Sequence, residues 1–114
     1  MSFFKQLEQL NVARQAEWDA QGKIDLSFKA LEFLTEGGEL GEQVKKLIRE
    51  LNGLKGNRTD LTKIREEVGD VVITLQLLCT AISELTDDNI DIEQCVKDKF
   101  NKTSIKYDFE TKWL

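Results

Sequence analysis

Four carboxylates stand in two pairs of equal spacing in this chain. Glu36 and Glu39 are three positions apart, and so are Glu67 and Asp70. Because residues three apart lie on one face of an α-helix with Cβ atoms about 5–6 Å from each other, the side chains of each pair can share one cation. Ligation by oxygen alone favours magnesium or manganese over zinc. The spacing therefore predicts a site for a hard divalent metal ion, provided that two helices set the pairs opposite each other.

The composition restricts the other chemistry that the chain can perform. Its 114 residues include no histidine and no proline, and the formal net charge is −5. The lack of histidine excludes Ser–His and Cys–His catalysis, HExxH zinc sites and the Glu-x-x-His motifs of ferritin-like di-iron proteins. The negative charge argues against a nucleic-acid partner, which needs clustered positive charge. Hydrolytic chemistry here must therefore use carboxylates, a hard metal ion, lysine or arginine.

A carboxylate pair on a helix is usually part of a solvated surface, so the neighbours of these pairs matter. Asp70 lies in an apolar run between Val68 and Val72, where a charge needs a partner or a metal ion because burying it alone is costly. Glycines lie inside both predicted helices, where each costs about 1 kcal/mol relative to alanine. We expect these glycines to let the helices approach closely or to leave room for a bulky ligand: they are Gly37, Gly38 and Gly69.

Hydrophobic periodicity places the two pairs on the middle two of four predicted helices. Spacing and capping residues predict helices over 1–18, 25–51, 60–86 and 91–105, followed by a tail over 106–114. Gln94 is the expected capping-box partner of Asp91. Helices joined by a short loop lie antiparallel, so we predict one all-α, four-helix bundle-like domain over 1–114. The expected N-caps are Ser2, Asp25, Asp91 and either Thr59 or Asp60.

The third predicted helix is apolar on most of its circumference, and such a helix is usually buried on most sides. A chain of this size buries only a modest core, so we expect a second copy to cover this helix in a homodimer or homotetramer. The tail carries its aromatic residues without a clear period, and it either packs on a partner subunit or stays loose. Those aromatic residues are Tyr107, Phe109 and Trp113.

The cysteines and the apolar segments predict a cytoplasmic protein. Cys79 and Cys95 fall in apolar helical pattern outside any CxxC pair, so we expect two reduced and buried thiols. The N-terminus lacks a continuous apolar signal core. The most apolar run, from Val68 to Cys79, is too short and too polar to span a bilayer, so no membrane partner is expected.

The carboxylate motif and its flanks resemble one known family. Glu36-x-x-Glu39 followed by Glu67-x-x-Asp70 is similar to the signature of MazG-like nucleotide pyrophosphohydrolases, in the all-α NTP pyrophosphatase superfamily. Segments 14–19, 45–50 and 99–104 resemble the corresponding segments of short phage and integron-type members. Two positions depart from the common pattern. Many members carry a second glutamate where this chain has Thr35, and many carry an arginine near the place where this chain has Ser104.

The resemblance implies hydrolysis of a nucleoside or deoxynucleoside triphosphate between the α and β phosphates, giving a monophosphate and pyrophosphate. Nucleotide-pool clean-up is one role for such a reaction. The four carboxylates would bind Mg²⁺ or Mn²⁺ and perform catalysis, with the general base either among them or Glu42. The alternative is a non-catalytic helical module that binds nucleotides or proteins with the same fold.

Substrate contacts are predicted for four further residues. Trp18 is the candidate for stacking on the base, because an aromatic face binds any base; alternatively it packs the first helix onto the core. The resemblance implies that Lys99 and Asn101 contact the ligand, and Lys45 is a further candidate for the polyphosphate. Lys45 is also placed to pair with Glu42 on the surface of its helix.

Overall fold

Residues 2–56 and 58–114 contain four α-helices, which confirms the all-α prediction. The computed structural model describes residues 2–56 and 58–114. Within these ranges there is no strand, and Met1 of the first predicted helix lies outside them. The structure assigns α1 to Phe3–Trp18, α2 to Leu26–Leu51, α3 to Leu61–Thr86 and α4 to Ile92–Lys106.

Each helix begins directly after a capping side chain. The cap oxygen accepts a hydrogen bond from the backbone N–H three residues on, at 2.9–3.1 Å, in Ser2, Asp25, Asp60 and Asp91. A cap of this kind contributes about 0.5–2 kcal/mol. The capping box expected at α4 is not formed, because the Gln94 amide donates to Asp98 Oδ1 at 2.8 Å instead. Asp98 lies four residues further along the same face, within easier reach than the backbone before the helix.

α3 is the central helix, and both α1 and α2 pack along it. Thr59, just before α3, contacts Gln43 and Glu50 near the end of α2, while Glu36 further back on α2 meets Asp70. These contacts make α2 and α3 antiparallel. In the described chain, α3 is the one helix long and apolar enough by composition to cross a membrane. This differs from the expectation that its apolar run is too short and too polar to span a bilayer, and 22% of its most apolar 18 residues are buried.

Much of the apolar surface of the chain is uncovered. The buried residues among the described hydrophobic ones are Cys79, Ala81 and Ile92. The Cα radius of gyration is 17.5 Å, whereas about 13 Å is expected for a compact domain of roughly 100 residues. Cys95 is exposed, contrary to the prediction of two buried thiols, because it lies in an open groove between α3 and α4.

The tail folds back onto α4. Asn101 Nδ2 donates to the Trp113 carbonyl at 2.9 Å, and the Trp113 N–H donates to Asn101 Oδ1 at 2.6 Å. The indole ring also packs edge-on against Phe100, and Lys97 Nζ lies 5.7 Å from its centroid. The tail is therefore held by its own helix.

Candidate metal and substrate site

Three carboxylates from α2 and α3 meet at one point. One oxygen each of Glu36, Glu67 and Asp70 lies within 4.8 Å of the other two. The antiparallel arrangement explains this meeting, because Glu36 on α2 faces two residues that lie one turn apart on α3. Glu39 lies one turn after Glu36, and its charge contributes to raising the pKa of both Glu36 and Glu67. The fourth predicted carboxylate therefore borders the cluster.

Burial and mutual repulsion disfavour the ionised form of this cluster. Desolvation is the largest cause that raises the pKa of Glu36 from 4.5 to about 7, followed by the adjacent Glu39 carboxyl group and by the other neighbouring negative charges. Desolvation also raises the pKa of Glu67, with the charges of Glu39 and Asp70 next. A cation bound beside Glu36 and Glu67 would offset these charges and favour their ionised form.

Two oxygens of the cluster have no hydrogen-bond partner. Glu36 Oε2 and Glu67 Oε2 are both buried, and no donor among residues 2–56 and 58–114 reaches either of them. A buried acceptor left without a partner costs about 1–3 kcal/mol, and more when it is charged. A hard divalent cation takes oxygen ligands and would interact with both atoms. The residues present therefore fit such an ion.

The burial of the individual carboxylates differs from the expectation for Asp70. Its place in an apolar run predicted a buried charge, yet Asp70 is exposed, because it lies on the side of α3 that faces an open cavity.

The glycines of α2 and α3 also differ from one expectation. A Cβ added at Gly37, Gly38 or Gly69 meets no atom within 4 Å. They do not mediate close helix packing, and the space beside them is open.

A cavity of about 430 Å³ lies beside the cluster. Its volume is within the usual range of ligand sites, about 300–1000 Å³. Glu36 and Asp70 line one part of it. Another part of the wall is one face of α1, which contributes Asn11, Arg14, Gln15 and Trp18. These residues are three or four positions apart, so the sequence alone could have placed them on one helix face.

The comparison with protein families shows to which family the chain belongs. A model of the MazG nucleotide pyrophosphohydrolase domain matches residues 27–107. The chain belongs to this family. The matched MazG segment contains both carboxylate pairs and supports nucleotide pyrophosphohydrolase activity in general, whereas α1 precedes it. A search of curated proteins and a search of solved structures found no match.

Trp18 lies at the end of α1, where it lines the cavity of this MazG domain. Its ring packs against Phe28 of α2, with centroids 6.0 Å apart and planes tilted by 40°. The side chain is nevertheless 62% exposed. Trp18 therefore joins α1 to α2 and still presents aromatic surface to the cavity.

The other three predicted substrate contacts lie away from this cavity. Lys45 Nζ is 3.5 Å from the Glu42 carboxylate, which lies 4.0 Å from Arg49 as well. Lys99 lines the groove between α3 and α4, whose volume is about 1020 Å³. Asn101 uses both ends of its amide to hold Trp113. Among the described residues, Arg14 is the basic residue that lines the carboxylate cavity. From the sequence it was noted only within segment 14–19, which resembles the family.

Proposed function

We propose that this MazG-family protein hydrolyses nucleoside or deoxynucleoside triphosphates to a monophosphate and pyrophosphate in a reaction that requires a divalent metal ion. The observation that carries the proposal is the meeting of Glu36, Glu67 and Asp70 within 4.8 Å beside a cavity of about 430 Å³. The two buried, unpartnered oxygens of Glu36 and Glu67 support a cation at this point. Family membership supports the general class of reaction.

The carboxylates would hold the metal ion, and α1 would bind the rest of the substrate. Mg²⁺ or Mn²⁺ bound by Glu36, Glu39, Glu67 and Asp70 would neutralise charge on the phosphates and make a bound water more acidic. Arg14 lines the cavity and would donate paired hydrogen bonds to phosphate oxygens, as planar guanidinium groups do. Trp18 would stack on the base, an interaction worth about 1–3 kcal/mol.

One carboxylate must also accept the proton of the attacking water. Glu42 already interacts with Lys45 and Arg49, and it does not line the cavity. This arrangement favours a carboxylate of the cluster over Glu42 as the general base.

We propose that the reaction takes place in the cytoplasm, where it would serve nucleotide-pool clean-up. The free thiols of Cys79 and Cys95 are consistent with a reducing compartment.

A pyrophosphate-release assay tests the proposal directly. The wild-type protein is incubated with each of the common ribo- and deoxyribonucleoside triphosphates, in magnesium, in manganese and in chelator. We expect equimolar monophosphate and pyrophosphate with either metal and no product in chelator. Metal-dependent nucleotide binding without any product would instead support the non-catalytic module, and product formation in chelator would contradict the role of the metal ion.

A further inference from the structure

Gln15, which lines this cavity and an adjoining one of about 200 Å³, carries a third unpartnered polar atom. Its Nε2 is buried, and no acceptor in the described chain lies within hydrogen-bond distance. A divalent cation accounts for the two unpartnered carboxylate oxygens, but it cannot account for Gln15, because an amide N–H donor is repelled by a cation. The missing partner of Gln15 must therefore offer a hydrogen-bond acceptor.

Asn11 supplies the complementary atom one turn earlier on α1. The residue is 3% exposed, and its Nδ2 donates to the backbone carbonyl of Ile73 on α3 at 3.2 Å. This bond fixes the orientation of the amide and leaves Oδ1 as an acceptor. Residues four apart share a helix face, and both Asn11 and Gln15 line the cavity that contains Glu36. The wall thus combines an oriented acceptor with an unpartnered donor.

On the basis of the proposed function, we infer that Gln15 and Asn11 bind the hydrogen-bonding edge of the nucleotide base. Every common base presents a donor beside an acceptor: an amino group next to a ring nitrogen, or a ring N–H next to a carbonyl. That pattern complements the Gln15 N–H and the Asn11 Oδ1. Gln15 is accordingly a specificity-determining residue that makes the enzyme require a base, while the carboxylates act on the phosphates.

The order of residues along α1 agrees with this assignment. Trp18 follows Gln15 by three positions on the same wall, so stacking on the base and hydrogen bonding to its edge would come from one helix face. The metal-binding carboxylates belong to α2 and α3 instead. Recognition of the base by Gln15 and Asn11 and the metal-dependent chemistry of the carboxylates are therefore assigned to different residues, and they can be separated by mutation.

The test compares substrates that differ in the base alone. The four deoxynucleoside triphosphates are compared with 2-deoxyribose 5-triphosphate, which has the same sugar and triphosphate but no base. Gln15→Leu removes the amide at similar size, and Gln9→Leu on an exposed position of α1 is the matched control. Circular dichroism melts verify that both variants are folded.

We expect Gln15→Leu to lower kcat/KM for the best base-bearing substrate roughly tenfold or more, the size of one lost hydrogen bond to a buried group. The same variant should leave kcat/KM for 2-deoxyribose 5-triphosphate unchanged, and Gln9→Leu should alter neither. An equal loss for both substrates, as a purely structural role of Gln15 would produce, overturns the inference, and so does no loss for either.

A binding measurement separates this inference from the proposed function. Calorimetry with the α,β-imido analogues of the four deoxynucleoside triphosphates and of 2-deoxyribose 5-triphosphate needs no turnover. If the wild type releases no pyrophosphate, the proposed reaction fails. The inference is still supported if the wild type binds an analogue more tightly than the base-free compound and Gln15→Leu abolishes that difference. Equal affinity of the wild type for all these compounds, or no binding of any, overturns it.

Discussion

The carboxylates of the cluster differ in how they are buried. Glu36 and Glu67 each hold a buried oxygen with no partner, whereas Glu39 and Asp70 are exposed. The exposed pair still contributes charge, because both raise the pKa of Glu36. In the absence of a metal ion the negative charges of the four residues repel one another, and a bound divalent cation would relieve this repulsion.

Neutralising one exposed carboxylate should therefore have opposite effects on activity and stability. We expect Asp70→Asn to lower metal-dependent pyrophosphate release by about 10²–10³-fold, the usual cost of losing one electrostatic contact to the transition state. In chelator the same variant should melt at a higher temperature than the wild type, because one source of repulsion is gone. Glu84→Gln, at an exposed carboxylate more than three turns further along α3, is the control. Unchanged turnover in Asp70→Asn would contradict the metal site.

The pH dependence of stability tests the same charges in metal-free protein. The pKa of Glu36 is raised from 4.5 to about 7, mainly by desolvation. The folded state thus holds a proton that the unfolded chain releases, so stability falls as the pH rises between these two values and levels off above them. Melting temperatures in chelator should show this fall, and Glu36→Gln should make it shallower because glutamine stays neutral. An equally steep fall in Glu36→Gln would exclude this residue as the cause.

At the scale of elements, α4 and the tail form one unit through Asn101. Its amide makes two hydrogen bonds to the backbone of Trp113, and the indole ring covers Phe100. We expect Asn101→Ala to lower the free energy of unfolding by about 1–2 kcal/mol, since each such hydrogen bond contributes about 0.5–1.5 kcal/mol. Urea denaturation measures the change, and limited proteolysis should cut the released tail faster. Lost turnover at unchanged stability would instead support the substrate-binding role that the family resemblance implies for Asn101.

At the scale of the whole molecule, one copy exposes more surface than a compact protein of its size. The accessible surface is 8675 Å², whereas about 6400 Å² is expected for a monomer of 13.1 kDa. The excess is larger than the roughly 800 Å² that each partner buries in a standard interface. We propose that a second copy covers the apolar groove between α3 and α4, whose lining includes Leu75, Val96 and Phe100.

Light scattering after size-exclusion chromatography tests this assembly. We expect a particle of at least twice the chain mass of 13.1 kDa. Val96→Glu places a charge in the groove at a side chain that is 50% exposed in one copy, and it should shift the protein toward monomer. Leu10→Glu, at an exposed apolar position on α1, is the control and should leave the mass unchanged. A monomeric wild type would contradict the proposal.

The sequence by itself determined the features that depend on local interactions. Helix positions follow from periodicity, and each N-cap binds an N–H three residues away, so both are readable from short segments. The spacing within Glu36–Glu39 and Glu67–Asp70, together with the short loop, also indicated which residues would converge. The structure brings Glu36, Glu67 and Asp70 together accordingly.

Only the tertiary structure decided which of these residues are buried and what lies opposite them. Burial depends on the rotation of each helix about its axis and on neighbours distant in the chain. For this reason an apolar neighbourhood in sequence did not predict that Asp70 is exposed while Glu36 holds a buried oxygen. The wall formed by Arg14 and Gln15 became visible only when α1 was packed on α3, more than fifty residues away in the chain.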